Sequence, residues 1–135
     1  ISKSGSIFIS VHDDHKARIV DVAKSFEKFG FKILATIGTA KYLSSHGIDT
    51  GVVNKVSEGR PHIVDFIKNG DIQMVINTSV GRKSSRDAYH IRRGALTYNI
   101  LYTTTLAGAR ALSEATKAMI SEDWQVCPLQ EYYKK

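Results

Sequence analysis

The sequence predicts a doubly wound α/β domain with a mainly parallel, five-stranded sheet and helices on both faces. Three observations support this prediction. Apolar runs suited to strands alternate with helical patterns along nearly the whole chain. These strand runs are continuously apolar, as expected where helices cover both faces of a parallel sheet. No internal repeat, linker or low-complexity segment interrupts the series, so the strands and helices are expected to wind into one sheet.

The first strand–helix unit begins close to the start of the chain. Residues 6–11 are a short apolar run suited to a buried strand. In the polar stretch that follows, Asp14 is a candidate N-cap residue. Apolar residues then recur at helical spacing until Gly30, which is suited to ending a helix. Residues 32–36 form the next apolar run and predict the second strand.

The middle of the chain continues the alternation. A tight turn at Gly38 is predicted to lead from the second strand into a short helix that begins near Thr39. Residues 51–56 predict the third strand. Pro61 suits the first position of the next helix because its missing N–H is not needed there, and Gly70 is predicted to end that helix.

The last part of the chain adds two strands, two helices and a tail. Residues 72–77 and 100–103 predict the fourth and fifth strands. Helices are predicted over residues 87–98 and over the alanine-rich residues 104–121. Residues 123–135 resemble a surface tail, so we predict one domain over residues 1–122 followed by that tail.

Composition narrows the classes of function. A chain of 135 residues is large enough for one sizeable core, and its single cysteine, Cys127, cannot form an intrachain disulfide. No apolar run is long enough to span a bilayer. The chain begins at Ile1 without a methionine, so we expect a fragment or an excised domain. The net charge of +6 favours an anionic partner, but the basic residues are scattered and match no nucleic-acid-binding motif. A small phosphorylated ligand fits this pattern better.

The candidate site lies where the predicted strands end, because ligands of open parallel sheets bind at the carboxyl ends of the strands. Hydroxyls, amides and lysines are concentrated there, with few carboxylates, and this set suits a phosphate and a ribose. Its members are Ser10, Lys16, Thr36, Gly38, Thr39, Lys55, Asn77, Thr78 and Ser79.

The turn around Gly38 is the centre of this candidate site. Free N–H groups at the start of the following helix and the hydroxyls of Thr36 and Thr39 would form a cup for an oxyanion. The alternative is an ordinary strand-to-helix turn in which Thr39 only caps the helix. The turn does not match the P-loop pattern.

Several segments resemble one known family. The C-terminal allosteric domain of the carbamoyl-phosphate synthetase large subunit, which has the methylglyoxal-synthase-like fold, carries similar segments, and the resemblance runs from about Gly5 to Ala118. The segments are residues 35–40, 53–56, 58–62, 67–70, 75–78 and 91–93.

The resemblance implies a regulatory domain rather than an enzyme. The implied effectors are nucleoside monophosphates, with UMP as inhibitor and IMP as activator. The implied parent is an ATP-dependent ligase of pyrimidine and arginine biosynthesis that uses Mg or Mn. The domain itself would hold no cofactor, no metal and no catalytic residue. Its partners would be the rest of the large subunit and the glutaminase small subunit, in the cytoplasm, with neither nucleic acid nor membrane.

The resemblance also implies roles for individual residues. The family residues around the effector phosphate match Lys16, Thr36, Thr39 and Lys55, and Ser10 is placed with them. The family residues at the ribose and base match Asn77, Ser79, Val56 and Ile91. The chain departs from the family at Thr103, where bacterial relatives carry an aspartate that helps to bind ornithine. Activation by ornithine is therefore not expected.

Two enzymes with the same fold are the alternatives. Methylglyoxal synthase has a His-Asp pair like that of His12 and Asp13, but its carboxylate base lies in a Gly-Gly-Asp segment where this chain reads Glu58-Gly-Arg-Pro. Glu58 is the nearest substitute for that base. The second alternative, inosinate cyclohydrolase, shares the Gly-Thr-Ala turn, but this chain lacks its Lys-Thr-Leu-His-type segment. His62, at a helix start, is read as a surface or capping residue rather than a metal ligand.

Overall fold

A computed structural model describes residues 5–12, 15–54, 62–78 and 85–130, with the side chains of residues 85–88 and 121–130 excluded. In this part of the chain, strands and helices alternate throughout. The elements are β1 (Ser6–Ser10), α1 (Lys16–Lys28), β2 (Lys32–Ala35), α2 (Ile37–Ser45), β3 (Thr50–Val52), α3 (Ile63–Lys68), β4 (Met74–Asn77), α4 (Ser85–Thr97), β5 (Leu101–Thr103) and α5 (Leu106–Gln130).

The strands form one sheet in the order β3-β2-β1-β4-β5, and every neighbouring pair is parallel. Strand β1 lies at the centre, with Phe8 opposite Leu34 of β2 and Val75 of β4. The chain therefore builds outward from β1 in both directions, which is the doubly wound arrangement predicted from the sequence. That prediction is confirmed.

The core is divided between the two faces of this sheet. On one face, Ile7 and Ile9 of β1 pack with buried residues of α1, α2 and α5. On the other face, Phe8 packs with Ile63 and Ile67 of α3 and with one residue of α4. Because successive strand residues point to opposite faces, both sets must be apolar. This is why the strands read as continuous apolar runs.

The structure confirms two of the predicted helix ends and changes one predicted helix start. Gly30 and Gly70 follow α1 and α3 with φ values of 97° and 79°, as predicted for glycines that end helices. The helix predicted to start at Pro61 instead starts at Ile63, with His62 as its N-cap residue. The backbone N–H of His62 donates to Asp65 Oδ2 at 2.9 Å, and this bond explains the later start. Pro61 and Asp14 lie outside the described residues.

The largest difference in length concerns α5. The sequence predicts a helix that ends near residue 121 and a tail from residue 123, but the helix continues to Gln130. No Gly or Pro occurs between Gly108 and Pro128, so each further residue of this stretch can add one hydrogen bond to an existing helix. No helix in the described part of the chain is long and apolar enough to cross a bilayer.

Candidate functional site

The carboxyl ends of β1, β2 and β4 meet at one edge of the sheet, and we call this edge the rim. Ser10 ends β1 and lies in register with Asn77, which ends β4. On the other side of β1, the Ser10 and Thr36 hydroxyl oxygens are 3.3 Å apart. The strand order places β1 between β2 and β4, and it therefore brings together three polar residues that are far apart in sequence.

Helix α2 begins at Ile37, one residue before Gly38, where the sequence predicts a tight turn. Thr36 is its N-cap residue with an extended backbone (φ −68°, ψ 160°), and Ile37 is the first helical residue. Gly38 therefore belongs to the first turn of α2, and it is not among the glycines with positive φ. The prediction of a turn centred on Gly38 is wrong, because the chain already changes direction where the extended backbone of Thr36 passes into the helical backbone of Ile37.

The first turn of α2 presents free backbone N–H groups at the rim. The first helical hydrogen bond is from the Ala40 N–H to the Thr36 carbonyl oxygen at 2.7 Å, so the amides of residues 37–39 precede the regular ladder. The Thr36 hydroxyl makes no capping bond to them. The positive end of the helix dipole coincides with these amides, and an anion is stabilised at such a position.

Thr39 is buried and bonded to the neighbouring loop. Its hydroxyl oxygen accepts a hydrogen bond from the Val11 N–H at 3.3 Å, and only 2% of the residue is exposed. Thr39 is therefore not the N-cap residue of α2, which was the alternative interpretation of the sequence. The hydroxyl ties α2 to the loop after β1.

Lys16 brings positive charge to the same place. It is the first residue of α1, and its Nζ donates to the Val11 carbonyl oxygen at 3.4 Å. The same Nζ lies 4.0 Å from the position that a Cβ on Gly38 would occupy. The lysine ammonium is thus next to the first turn of α2, as a phosphate site between them requires.

A second cluster of contacts lies on the β4 side of the rim. Asn77 and Thr78 are 5% and 4% exposed. The Thr78 hydroxyl oxygen accepts from the His12 N–H at 3.2 Å and lies 3.0 Å from His15 Nδ1. His15 was missed by the sequence reasoning. The signal that could have revealed it is the pair His12 and His15, three residues apart, directly after the first strand.

Of the remaining predicted site residues, the structure describes only Ile91. Ile91 is 3% exposed and packs in the core cluster beneath α4, together with Val75 and Ile63. Other predicted or alternative residues lie outside the described part of the chain. They are Asp13, Lys55, Val56, Glu58 and Ser79.

A separate groove of about 320 Å³ lies between α1 and α5. Its charged lining residues are Asp21, Arg110 and Glu114. One cation among two carboxylates gives no local excess of positive charge. The groove is therefore less suited to a phosphate than the rim.

Comparison with known proteins shows the family of this chain. The model of the MGS-like domain matches residues 18–104, which is more than half of the chain. The chain belongs to the MGS-like domain family. Its MGS-like domain thus includes β2 to β5 and most of α1, and so it includes the first turn of α2 and the end of β4.

Among its relatives are carbamoyl phosphate synthase large chains. The chain is 48% identical over 119 residues to the C-terminal section of that large chain in Aquifex aeolicus, covering 88% of this chain and 22% of the relative. It is 50% identical to the large chain of Pseudomonas syringae pv. tomato over 84% of this chain and 10% of the relative. The chain thus spans only about a tenth to a fifth of the length of these relatives.

A solved structure supports the fold alone. The crystal structure of ForH matches with a TM-score of 0.57 at 12% sequence identity, covering 84% of this chain and 79% of that chain. This likeness agrees with the parallel α/β sheet of the MGS-like domain.

Proposed function

We propose that this MGS-like domain is the regulatory part of a carbamoyl phosphate synthase large chain, and that its rim binds a nucleoside 5′-monophosphate such as UMP or IMP. The observation that carries this proposal is the position of Lys16 Nζ beside the first turn of α2. A lysine ammonium and a set of free helix amides at one point provide both charge and directed donors for a phosphate dianion.

The phosphate would lie between α1 and α2. Lys16, the amides of residues 37–39 and the hydroxyls of Thr36 and Thr39 surround this position. The Thr39 oxygen accepts from the Val11 N–H, so its own hydrogen remains available to donate to a phosphate oxygen. Ser10 completes the set through its 3.3 Å contact with Thr36, and Lys55 is proposed to approach from the segment after β3.

The ribose and base would extend from the phosphate toward β4. Asn77 offers amide donors and acceptors for ribose hydroxyls, and Thr78 and Ser79 follow it in sequence. Val56 and Ile91 are the proposed apolar neighbours of the base. Apolar contacts discriminate weakly between uracil and hypoxanthine, so this chemistry is compatible with either nucleotide.

Regulation would follow from linkage between the rim and the parent enzyme. A nucleotide that contacts two conformations of the large chain unequally shifts their populations and changes the rate of the ATP-dependent reaction. The parent's metal and ATP would be bound by its other domains, and the glutaminase small subunit would be a partner of that parent. In this proposal the domain binds its ligand and does not transform it.

Isothermal titration calorimetry of the purified chain with UMP, IMP and orotidine monophosphate tests this proposal. We expect micromolar binding of at least one of them, and no measurable binding of uridine or inosine, which lack the phosphate. Equal binding of nucleotide and nucleoside would contradict a phosphate site at the rim.

The competing function is a lyase acting on dihydroxyacetone phosphate. This reaction needs a carboxylate base beside the phosphate, and none of the described rim residues named above is a carboxylate. Asp13 and Glu58 are the candidate bases. Turnover of dihydroxyacetone phosphate above background that disappears in Asp13→Asn or Glu58→Gln would favour the lyase over the regulatory function.

A further inference from the structure

The loop after β1 is held by a buried threonine on each side. On the α2 side, Thr39 accepts the Val11 N–H, and on the β4 side, Thr78 accepts the His12 N–H at 3.2 Å. The Thr78 N–H also donates to the Ser10 carbonyl oxygen at 2.9 Å. Thr78 is thus bonded to β1 and to the loop through both its backbone and its side chain.

His15 provides a third attachment for Thr78. Its Nδ1 lies 3.0 Å from the Thr78 hydroxyl oxygen, although the two residues are 63 positions apart. His15 is the N-cap residue of α1, yet its side chain makes no capping bond to that helix. The imidazole instead contacts Thr78, which directly follows β4. Its backbone N–H donates to the His12 carbonyl oxygen at 2.8 Å and joins these two described residues.

The Thr78 hydroxyl can serve both His12 and His15 at the same time. Its oxygen accepts from the His12 N–H, and its hydrogen and a second lone pair remain for the contact with His15 Nδ1. A single hydroxyl therefore joins the backbone of His12 to the ring of His15.

The position of His15 gives this contact a consequence for ligand binding. Lys16 follows His15 directly and is the first residue of α1, so the start of α1 moves with His15. The contact between Thr78 and His15 therefore sets the backbone position from which the Lys16 side chain extends toward α2.

We propose that His15 is a positioning residue which, through the Thr78 hydroxyl, holds Lys16 and the loop after β1 in place for the phosphate of the nucleotide. The inference rests on the proposed function and deepens it by assigning a role to two side chains. Neither side chain needs to contact the nucleotide for this role. The gain is preorganisation, because groups that are already held in place lose less conformational freedom when the phosphate binds.

Variants of these two residues provide the test. His15→Leu and Thr78→Val remove the contact, whereas His15→Asn keeps a polar atom near the Nδ1 position and Thr78→Ser keeps the hydroxyl. In His15→Gln the longer side chain places the amide beyond the Nδ1 position, so the contact with Thr78 is lost although the residue stays polar. This variant replaces His15→Leu if the leucine variant fails to fold. His46→Leu is the control, because His46 is an exposed histidine at the opposite end of α2.

Two measurements are made on each variant. Calorimetry gives the Kd for UMP, and hydrogen exchange gives the protection of the His12 amide in the ligand-free chain. We expect His15→Leu and Thr78→Val to weaken UMP binding about two- to tenfold, the effect of one hydrogen bond, and to speed His12 exchange. His15→Asn and Thr78→Ser should restore most of both properties, and the double variant should be no worse than either single variant.

The outcomes separate this inference from the proposed function. A wild-type chain that binds no nucleotide ends the proposed function. A wild-type chain that binds UMP while His15→Leu binds it equally well overturns the positioning role alone. A His15→Asn variant as weak as His15→Gln also overturns it, because the position of the polar atom would then not matter.

Discussion

The hydroxyl oxygen of Thr39 lies 3.3 Å from the backbone nitrogen of Val11, and this hydrogen bond joins the first turn of α2 to the loop that carries the chain from β1 to α1. Both residues are buried. It links the two segments between which a phosphate would bind, so both the stability of the domain and the geometry of the site depend on it.

Thr39→Val should destabilise the domain. Valine has nearly the same shape, but it leaves the Val11 N–H without its partner, at a cost of about 1–3 kcal/mol in the free energy of unfolding. Urea denaturation followed by circular dichroism measures this cost. Thr39→Ser keeps the hydroxyl and is the matched control. A loss in Thr39→Ser without a loss in Thr39→Val would show that the methyl group, and not the hydrogen bond, matters.

Lys16→Ala should weaken nucleotide binding without unfolding the domain. A charge-assisted hydrogen bond contributes about 1.5–3 kcal/mol, so we expect Kd to rise about 10- to 100-fold in calorimetric titration with UMP. Lys24→Ala removes the same charge from the exposed face of the same helix and should change Kd little. Similar losses in both variants would mean that only the net charge of the chain attracts the nucleotide.

Gly38→Ala should change stability and binding in opposite directions. The new Cβ would lie 4.0 Å from Lys16 Nζ, so the folded chain accommodates it. Alanine in a helix is favoured over glycine by about 0.5–1 kcal/mol, which should raise the free energy of unfolding. The methyl group would stand where the phosphate approaches the first turn of α2. Denaturation together with calorimetry should therefore show a more stable chain with a higher Kd, and tighter binding would place the phosphate elsewhere.

Gly94→Ala and Gly108→Ala should have opposite effects on stability. A Cβ at Gly94 would lie 3.8 Å from Ile67 and Val64, which is an ordinary contact, so the helix propensity of alanine should stabilise α4 by up to about 1 kcal/mol. A Cβ at Gly108 would collide with the Thr103 side chain and should destabilise the domain. Thermal denaturation compares the two variants. A rise in Tm for Gly108→Ala would contradict the packing of α5 against β5.

Much of the rim could be predicted because parallel strands end at the same edge of a sheet. Ser10, Thr36 and Asn77 each follow an apolar run, and each indeed lies at or directly after the end of a strand. The start of α2 could not be predicted in the same way. Glycine is permitted in a tight turn and in a helix alike, and the choice depended on the extended backbone of Thr36.

The sequence by itself determined the class of fold, the continuously apolar strands and the glycines that end α1 and α3. These features depend on local periodicity and on the backbone preferences of single residues, and both can be read along the chain. Only the tertiary structure decided that Thr39 bonds to Val11 and that Thr78 bonds to His15. Those partners are set by the order of strands in the sheet and by the direction of each buried hydroxyl. Neither property leaves a periodic signal in the sequence, because contacts between distant segments depend on how the whole chain winds around β1.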